Sequence, residues 1–271
     1  MVYLSEEIKQ EIRQKIDALD EGLFSHKRVI GEKIIPMHVH KNKGQFMYVE
    51  GKSIRIYYEI ENDIKTLFLP PRHFAWMPAN VMHSVESNHP DFVLRNIYYT
   101  NLGNDVFFKK VGVYAANDLL IEMLKYSDTW AGNISTSDEQ KYTFLKAIQL
   151  ILPDASNRKL PFALPFAKDE RLQKILSYIQ NQLMENINIT DISTNFGFSP
   201  RSLLRLFQSD LKMTFAQYLK TLRTIKAIEL LTTTNKTLPE IAFDVGYESF
   251  PTFSNTFFEI VGVRPKAYKR Q

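Results

Sequence analysis

The sequence predicts a two-domain α+β chain: an antiparallel β-barrel with flanking helices, followed by an all-α unit built as a double helix-turn-helix. Three observations predict it. Between about Val29 and Tyr99, short alternating runs are punctuated by Gly, Pro, Asn and Asp, the pattern of an antiparallel barrel or sandwich. Beyond residue 168 the period becomes helical and one phrase occurs twice, as Ile192-Ser-Thr-Asn-Phe-Gly197-Phe-Ser199 and as Ile241-Ala-Phe-Asp-Val-Gly246-Tyr-Glu-Ser249. A proline-bearing stretch separates the two regions and is expected to be a semi-rigid linker without a regular element. The expected division is 1–152, a linker over 153–167, and 168–271.

Taken in order, Glu6 to Leu19 sets Ile8, Ile12, Ile16 and Leu19 among charges, the spacing of one amphipathic helix. The strand-like runs are Lys33-Ile-Ile35, Gln45 to Val49, Ser53 to Ile60, Lys65 to Leu69 and Phe92 to Tyr99. Arg72 and His73 belong to a turn. Residues two apart on a strand share a face, so His38 and His40 can both point into the barrel. After Tyr99 the strands are expected to stop. Leu119 to Tyr126 and Glu139 to Leu152 then read as helices, the second with a stripe of Leu145, Ile148 and Leu152. Lys168 to Leu183 opens the last unit as a scaffold helix bearing Leu172, Ile175, Leu176 and Ile179.

Each repeated phrase buries its isoleucine, turns on a glycine in the left-handed conformation, and caps the next helix with a serine. Pro200 follows Ser199 at the favoured first helical position. Thr237-Leu-Pro-Glu240 is a capping box ahead of Ile241. The helices that follow are anchored by Leu203 and Phe207, and by Phe253 and Phe257. A long amphipathic run, Phe215 to Leu231, joins the two units and interleaves Lys220, Arg223 and Lys226.

Composition limits the function classes. There is no cysteine, which excludes disulfides and thiolate metal sites and fits a reducing cytoplasm. The first residues carry acids where a signal peptide has bases, and no apolar run is long enough to span a membrane. The net charge is +4, and the whole excess lies in residues 160–271, with 14 Lys+Arg against 10 Asp+Glu. Beside repeated helix-turn-helix phrases, such an excess reads as a phosphate-facing surface.

Residues 168–270 resemble the DNA-binding domain of the AraC/XylS family of bacterial transcription regulators. The motifs are the paired Ile-x4-Gly phrases, Leu203-x-Arg205-x-Phe207, Arg223-x3-Ala227-x2-Leu230-Leu231, and Phe257-x4-Gly262-x2-Pro265-x2-Tyr268. Lys212 departs from the family's usual glycine, and Lys269 from its commoner arginine. The resemblance implies a cytoplasmic regulator rather than an enzyme, an activator among its expected roles, with double-stranded promoter DNA and RNA polymerase as partners. It also implies a homodimer formed through the helices beside the barrel. On the first reading helix Ser199, Arg201, Ser202, Leu204, Arg205 and Gln208 face outward, and Arg201 and Arg205 offer bidentate donors to guanine. On the second, Ser249, Phe250, Pro251, Ser254, Asn255 and Phe258 face outward, and Asn255 is expected to prefer adenine.

The barrel region is similar to the cupin fold, whose two motifs set two histidines, a carboxylate and a third histidine around a metal. His38, His40, Gln45 and His83 fall on those positions. A divalent ion such as zinc or nickel would suit the imidazoles, but Gln45 stands where glutamate is usual. The same interior could instead hold a small organic effector lined by His38, Gln45, Tyr48, Tyr57, Trp76 and His83. The readings left open are an effector-sensing regulator, a metal-sensing regulator on the same histidines, and a metal-dependent cupin enzyme fused to a DNA-binding domain.

Overall fold

Alternating and helical segments fold here into separate compact units, Met1–Asp63 with Leu67–Leu160, and Ile64–Thr66 with Pro161–Gln271. The structure is a computed structural model and describes residues 14–19, 21–30, 35–51, 53–87, 92–155, 163–165, 167–185 and 187–269. Ile8, Ile12, Lys33, Ile34 and residues 156–162 and 166 of the expected linker lie outside the described residues. Of the expected N-terminal helix, one turn over 14–17 is described, and it buries Ile16.

The first unit contains β1 (Leu23–Ile30), β2 (Ile35–His38), β3 (Gly44–Glu50), β4 (Ile54–Ile60), β5 (Asp63–Leu69), β6 (His73–Met77), β7 (His83–Glu86), β8 (Phe92–Tyr99), β9 (Gly112–Ala115) and β10 (Gly132–Ile134). Rather than one closed barrel, the strands form two antiparallel sheets. One has the order β10-β1-β8-β3-β6-β9, and in the other β5-β4-β7-β2 run side by side. The two-domain α+β architecture stands. Strands do not stop at Tyr99, because β9 adds to β6 and β10 adds to β1. Their short runs carry too few residues for a period of two to show.

Register decides which side chains meet. On one face of the six-stranded sheet lie Leu23, Phe46, Tyr48, Phe74, Trp76, Ile97, Tyr99 and Tyr114. They pack against Leu120, Ile121 and Leu124 of α1 (Asp118–Tyr126) and Leu145, Ile148 and Leu152 of α2 (Glu139–Ala155). Burying one such side chain contributes roughly 1.5–3 kcal/mol, so this face is the main apolar core of the unit. Residues of opposite parity, Gln45, Asn96, Tyr98 and His26, share the other face.

Helix α2 continues through Pro153 to Ala155, and a three-residue strand, β11, occupies Ala163–Pro165. Regular structure thus reaches into both ends of the stretch expected to have none. Pro153 lies inside α2, where it supplies no N–H to the preceding turn.

The second unit contains α3 (Glu170–Asn181), α4 (Ile189–Asn195), α5 (Pro200–Asp210), α6 (Phe215–Thr233), α7 (Leu238–Asp244), α8 (Phe250–Val261) and α9 (Pro265–Lys269). Helix α3 buries Leu172, Ile175, Leu176 and Ile179, as its spacing predicts. Helix α6 opens on a full capping box, Thr214 with Gln217, and buries Tyr218, Leu222, Ile225 and Ile228 along its length.

Two side chains yield expected outcomes. His73 is 1% exposed and its Nδ1 lies 2.8 Å from the Pro71 carbonyl. Burial lowers its pKa to about 4, the Pro71 hydrogen bond works the other way, and Arg72 adds to the lowering. The native state therefore keeps His73 neutral while the unfolded chain takes up a proton below about 6.5. Its contribution is fully present above that pH and is lost as pH falls toward 4, by about 1.4 kcal/mol per pH unit. Denaturant titrations at stepped pH should show this slope, and His73→Gln should remove the share of His73 while leaving that of His26, whose pKa burial and then Arg28 lower to about 3.

Lys212, after α5, holds φ at 53°, a conformation that disfavours side chains bearing a Cβ. Its ammonium donates to the Ser209 carbonyl at 2.8 Å, which recovers part of that strain. Lys212→Gly should raise stability by up to about 1 kcal/mol, read as an increased melting temperature.

Candidate nucleic-acid interface and histidine cluster

The two repeated phrases build the same turn. After α4, the N–H of Phe198 donates to Ser193 O at 2.8 Å and that of Gly197 to Thr194 O at 3.3 Å. After α7, Tyr247 donates to Ala242 O at 2.9 Å and Gly246 to Phe243 O at 2.8 Å. Both are six-to-one and five-to-two closures around a left-handed residue, Gly197 at φ 69° and Gly246 at φ 83°. A serine then starts each following helix. Ser199 Oγ accepts from Ser202 N at 3.1 Å, and Ser249 Oγ accepts from Thr252 N at 3.4 Å.

These turns expose one face of α5 and one of α8. Leu203 and Phe207 are fully buried, and Phe253 and Phe257 are 1% exposed, which leaves the alternate faces to solvent. On α5, Arg201, Leu204, Arg205 and Gln208 are exposed and Ser202 is half-buried beneath the Ser199 hydroxyl, which donates to it at 2.8 Å. On α8, Pro251, Asn255 and Phe258 are exposed, while Phe250, Ser254 and Ser249 are half-buried. The structure thus groups the predicted contact residues on two helix faces of one unit.

Sequence reasoning missed Arg264. Gly262 takes φ 81° at the end of α8 and turns the chain back along it. The Arg264 guanidinium lies 4.7 Å from the centre of the Phe258 ring and donates to Asn255 Oδ1 at 2.7 Å. Nothing in the local sequence marks that contact, which spans nine residues and a reversal of direction.

In the first unit, strand pairing assembles the histidines. His38 ends β2 and is the register partner of His83 at the start of β7, and His83 is also paired with Tyr58 of β4. Directly opposed residues share a face, so His38, His83 and Tyr58 point to the same side. His40, two residues past His38, is buried at 4%. The ring centroids of His38 and His83 are 4.4 Å apart, those of His38 and His40 4.9 Å, and those of His40 and His83 5.6 Å.

The backbone sets the tautomers. His38 Nδ1 lies 2.7 Å from Pro36 O and His83 Nδ1 2.9 Å from Val81 O. A carbonyl can only accept, so each Nδ1 carries the proton and each Nε2 keeps its lone pair. That is the usual arrangement of a metal-binding imidazole. One ligand atom from each of His38, His40 and His83 lies within 4.8 Å of the other two. Nitrogens about 2.1 Å from one ion are at most about 4.2 Å apart, so the set fits a borderline divalent ion with a contraction of some tenths of an ångström.

Gln45 is adjacent but engaged elsewhere. Its Nε2 donates to Asn96 Oδ1 at 2.9 Å and to the Tyr98 hydroxyl at 3.1 Å, and the Tyr98 ring lies 4.8 Å from that of His40. Gln45 Oε1 is buried and meets no hydrogen-bond partner among the described residues. Asn96 and Tyr98 were not foreseen, although the alternation along β8 places them with Gln45.

The expected effector set is not brought together. Tyr48 and Trp76 face the opposite side of their sheet, in the helix-covered core, with Trp76 Nε1 donating to Phe108 O at 3.0 Å. Tyr57 has the opposite parity from Tyr58 and donates its hydroxyl to Glu86. Of that set only His38 and His83 meet directly, and Gln45 is linked toward the cluster through Tyr98 and His40. A separate open groove of about 750 Å³ lies in the same unit, lined by Thr100, Asn101, Asn104, Ser135, Thr136 and Tyr142 among others. Among the described residues no helix is long and apolar enough to cross a membrane.

Comparison with known proteins identifies the helical unit. Residues 192–271 match a family described as a helix-turn-helix domain. Over 125 residues, 46% of this chain, the sequence is 29% identical to the uncharacterized HTH-type transcriptional regulator YfiF of Bacillus subtilis, covering 39% of it. Over 96 residues, 35% of this chain, it is 33% identical to the HTH-type transcriptional regulator GbdR of Pseudomonas aeruginosa, covering 26% of it. A solved regulator from Chromobacterium violaceum, described as having an AraC-type DNA-binding domain, shares 30% identity over 37% of this chain and 90% of its own, with a TM-score of 0.36. The chain spans less than half the length of the curated relatives it matches. Residues 192–271 are thus a helix-turn-helix domain, similar in sequence to those of HTH-type transcriptional regulators.

Proposed function

We propose that the chain is a sequence-specific DNA-binding regulator whose N-terminal unit senses a small molecule and changes promoter output. The observation that carries this is the pair of closely similar turns, each presenting one capped helix of the same unit. Helix α6, 19 residues long, connects the two turns within one packed unit. Helices α5 and α8 then read two major-groove segments on one face of the duplex. Arg201 and Arg205 supply base contacts to guanine, and the serines at each cap approach phosphate.

The sensing role is supported by the groove beside Tyr142, whose size is typical of small-molecule sites and whose lining is mainly hydroxyl and amide. Leu119 and Tyr126 on α1 and Leu150 on α2 are 61%, 63% and 66% exposed, which supports the homodimer contact. RNA polymerase is the further partner that such a regulator requires. The ligand acts by differential binding to two arrangements of the protein rather than by chemistry.

A second reading, metal sensing, is favoured by the tautomers and spacing of His38, His40 and His83. An enzyme on the same residues has less support. Among the described residues the metal-competent group is three imidazoles, the Asp17 carboxylate approaches it at 3.7 Å from His40 Nδ1 but is half exposed, and Glu50 and Glu59 have the strand parity of Tyr48 and Tyr57, away from the histidines.

Replacing Arg205 by Ala should weaken specific binding by about 1–3 kcal/mol and relax preference at one base position, as read by fluorescence anisotropy on selected and scrambled duplexes. Equal loss on both duplexes would reassign Arg205 to the phosphate backbone. Elemental mass spectrometry of untagged protein, prepared without chelator, decides the second reading. Near-stoichiometric zinc or nickel that disappears in a His38→Ala/His83→Ala variant supports metal sensing; absence of metal from both leaves organic-effector sensing.

A further inference from the structure

Helix α8 carries no lysine or arginine of its own, and its exposed positions are Pro251, Thr252, Asn255, Phe258 and Glu259. A helix entering a major groove with that face would meet a strongly negative surface with a single polar reader, Asn255. The left-handed turn at Gly262 changes this, because it lays the exposed Arg264 back over the same face. The Arg264 Nη1 donates to Asn255 Oδ1 at 2.7 Å and lies 3.2 Å from Ser254 O and 3.3 Å from Ser254 Oγ. Its guanidinium plane rests above the Phe258 ring at 4.7 Å, which fixes its position by cation–π attraction.

The consequence lies in the direction of the donors. A guanidinium has only N–H donors, so the amide atom facing it is the oxygen and the Asn255 amino group points away. Reading adenine requires an amide to accept from N6 and donate to N7 at once. Arg264 occupies one of the two lone pairs of Oδ1, so Asn255 presents its free amino group beside the remaining N–H groups of Arg264, with a single acceptor site left. The combined edge is dominated by donors. Its complement in the major groove is guanine, which presents O6 and N7 as acceptors.

We propose that Asn255 and Arg264 form one composite reader that selects guanine, where Asn255 alone would select adenine, and that Arg264 is the specificity-determining residue of the second unit. The assignment rests on the DNA-reading role proposed above for α8. It replaces the adenine preference expected from Asn255 taken by itself.

The test is selection of binding sites from a randomised duplex pool, using the full chain and two variants, Arg264→Met and Asn255→Ala. Methionine keeps an unbranched apolar stem over Phe258 while removing every donor. Thermal melts followed by circular dichroism establish that both variants fold. The expected result is a guanine preference of the wild type at one position in the segment read by α8. In Arg264→Met that position should shift toward adenine, with the guanine-to-adenine ratio changing by at least about tenfold, and in Asn255→Ala it should lose most of its discrimination. Unchanged base preference in Arg264→Met, with uniformly weaker binding and a salt slope smaller by about one, would make Arg264 a phosphate contact and overturn the proposal. Unchanged preference with unchanged affinity would make it an internal strut and overturn it equally. Selection that enriches a motif only in the segment read by α5 would refute the role of α8 while sparing that of α5. Enrichment of no motif would instead refute the DNA-reading assignment as a whole.

Discussion

The close approach of Gly246 to two other parts of the helical unit is the constraint on which the second helix-turn-helix depends. A Cβ at this position would lie 2.4 Å from the Leu183 carbonyl and 2.6 Å from Arg223 Nη2, so neither backbone nor guanidinium leaves room for one. Arg223 comes from the middle of α6 and also lies over the Tyr247 ring at 5.3 Å. The second turn is thus wedged between the end of the scaffold helix and the connecting helix. The first turn is not held this way, since a Cβ at Gly197 would meet nothing within 4 Å and only its φ calls for glycine. The two turns share a hydrogen-bond pattern and differ in how far the surrounding packing fixes them.

A buried arginine plays the comparable part in the sheet unit. Arg95 is 1% exposed in the middle of β8, on the helix-facing side, and donates to Leu124 O and Ser127 O at 2.6 Å each. Those carbonyls end α1, where unpaired acceptors and the negative end of the helix dipole favour a cation. Asp128 supplies the balancing charge at 3.4 Å and also pairs with Lys27. The helix is therefore held to the sheet by charge-assisted hydrogen bonds as well as by apolar packing. Because that face is filled by Arg95, Tyr99 and Trp76, any site built on side chains of this sheet must use the opposite parity. Gln45, Asn96 and Tyr98 have it.

What was legible in the sequence follows from the range of the forces involved. Capping serines, turn glycines and the buried stripes of α3, α5 and α8 are set within four or five residues, and each stands where the pattern places it. The strands of β3, β4 and β8 were legible for the same reason, but β6 was not. It follows directly on Pro70, Pro71 and Arg72, so His73 read as part of a turn. Register was beyond reach altogether. The set His38, Gln45, Tyr48, Tyr57, Trp76 and His83 was assembled by residue type, while strand parity decides which of them meet, and parity separates Tyr48 from Gln45 by an odd number of positions. The histidine triad could be found because His38 and His40 are two apart. Their union with His83 awaited the pairing of β2 with β7.

The helical unit itself divides the work unevenly. Helix α5 exposes Arg201 and Arg205, so in the proposed DNA-reading role its contacts would displace condensed counterions and weaken as salt rises. Helix α8 exposes Phe258 at 46% and Pro251, surface whose burial does not release counterions and whose gain is nearly independent of ionic strength. Arg264 returns one cation to that face, already half-satisfied by Asn255 and Ser254. A regulator built this way would find its site through the basic face of α5. It would gain part of its residence there through the apolar face of α8, because charge governs approach while close packing governs release.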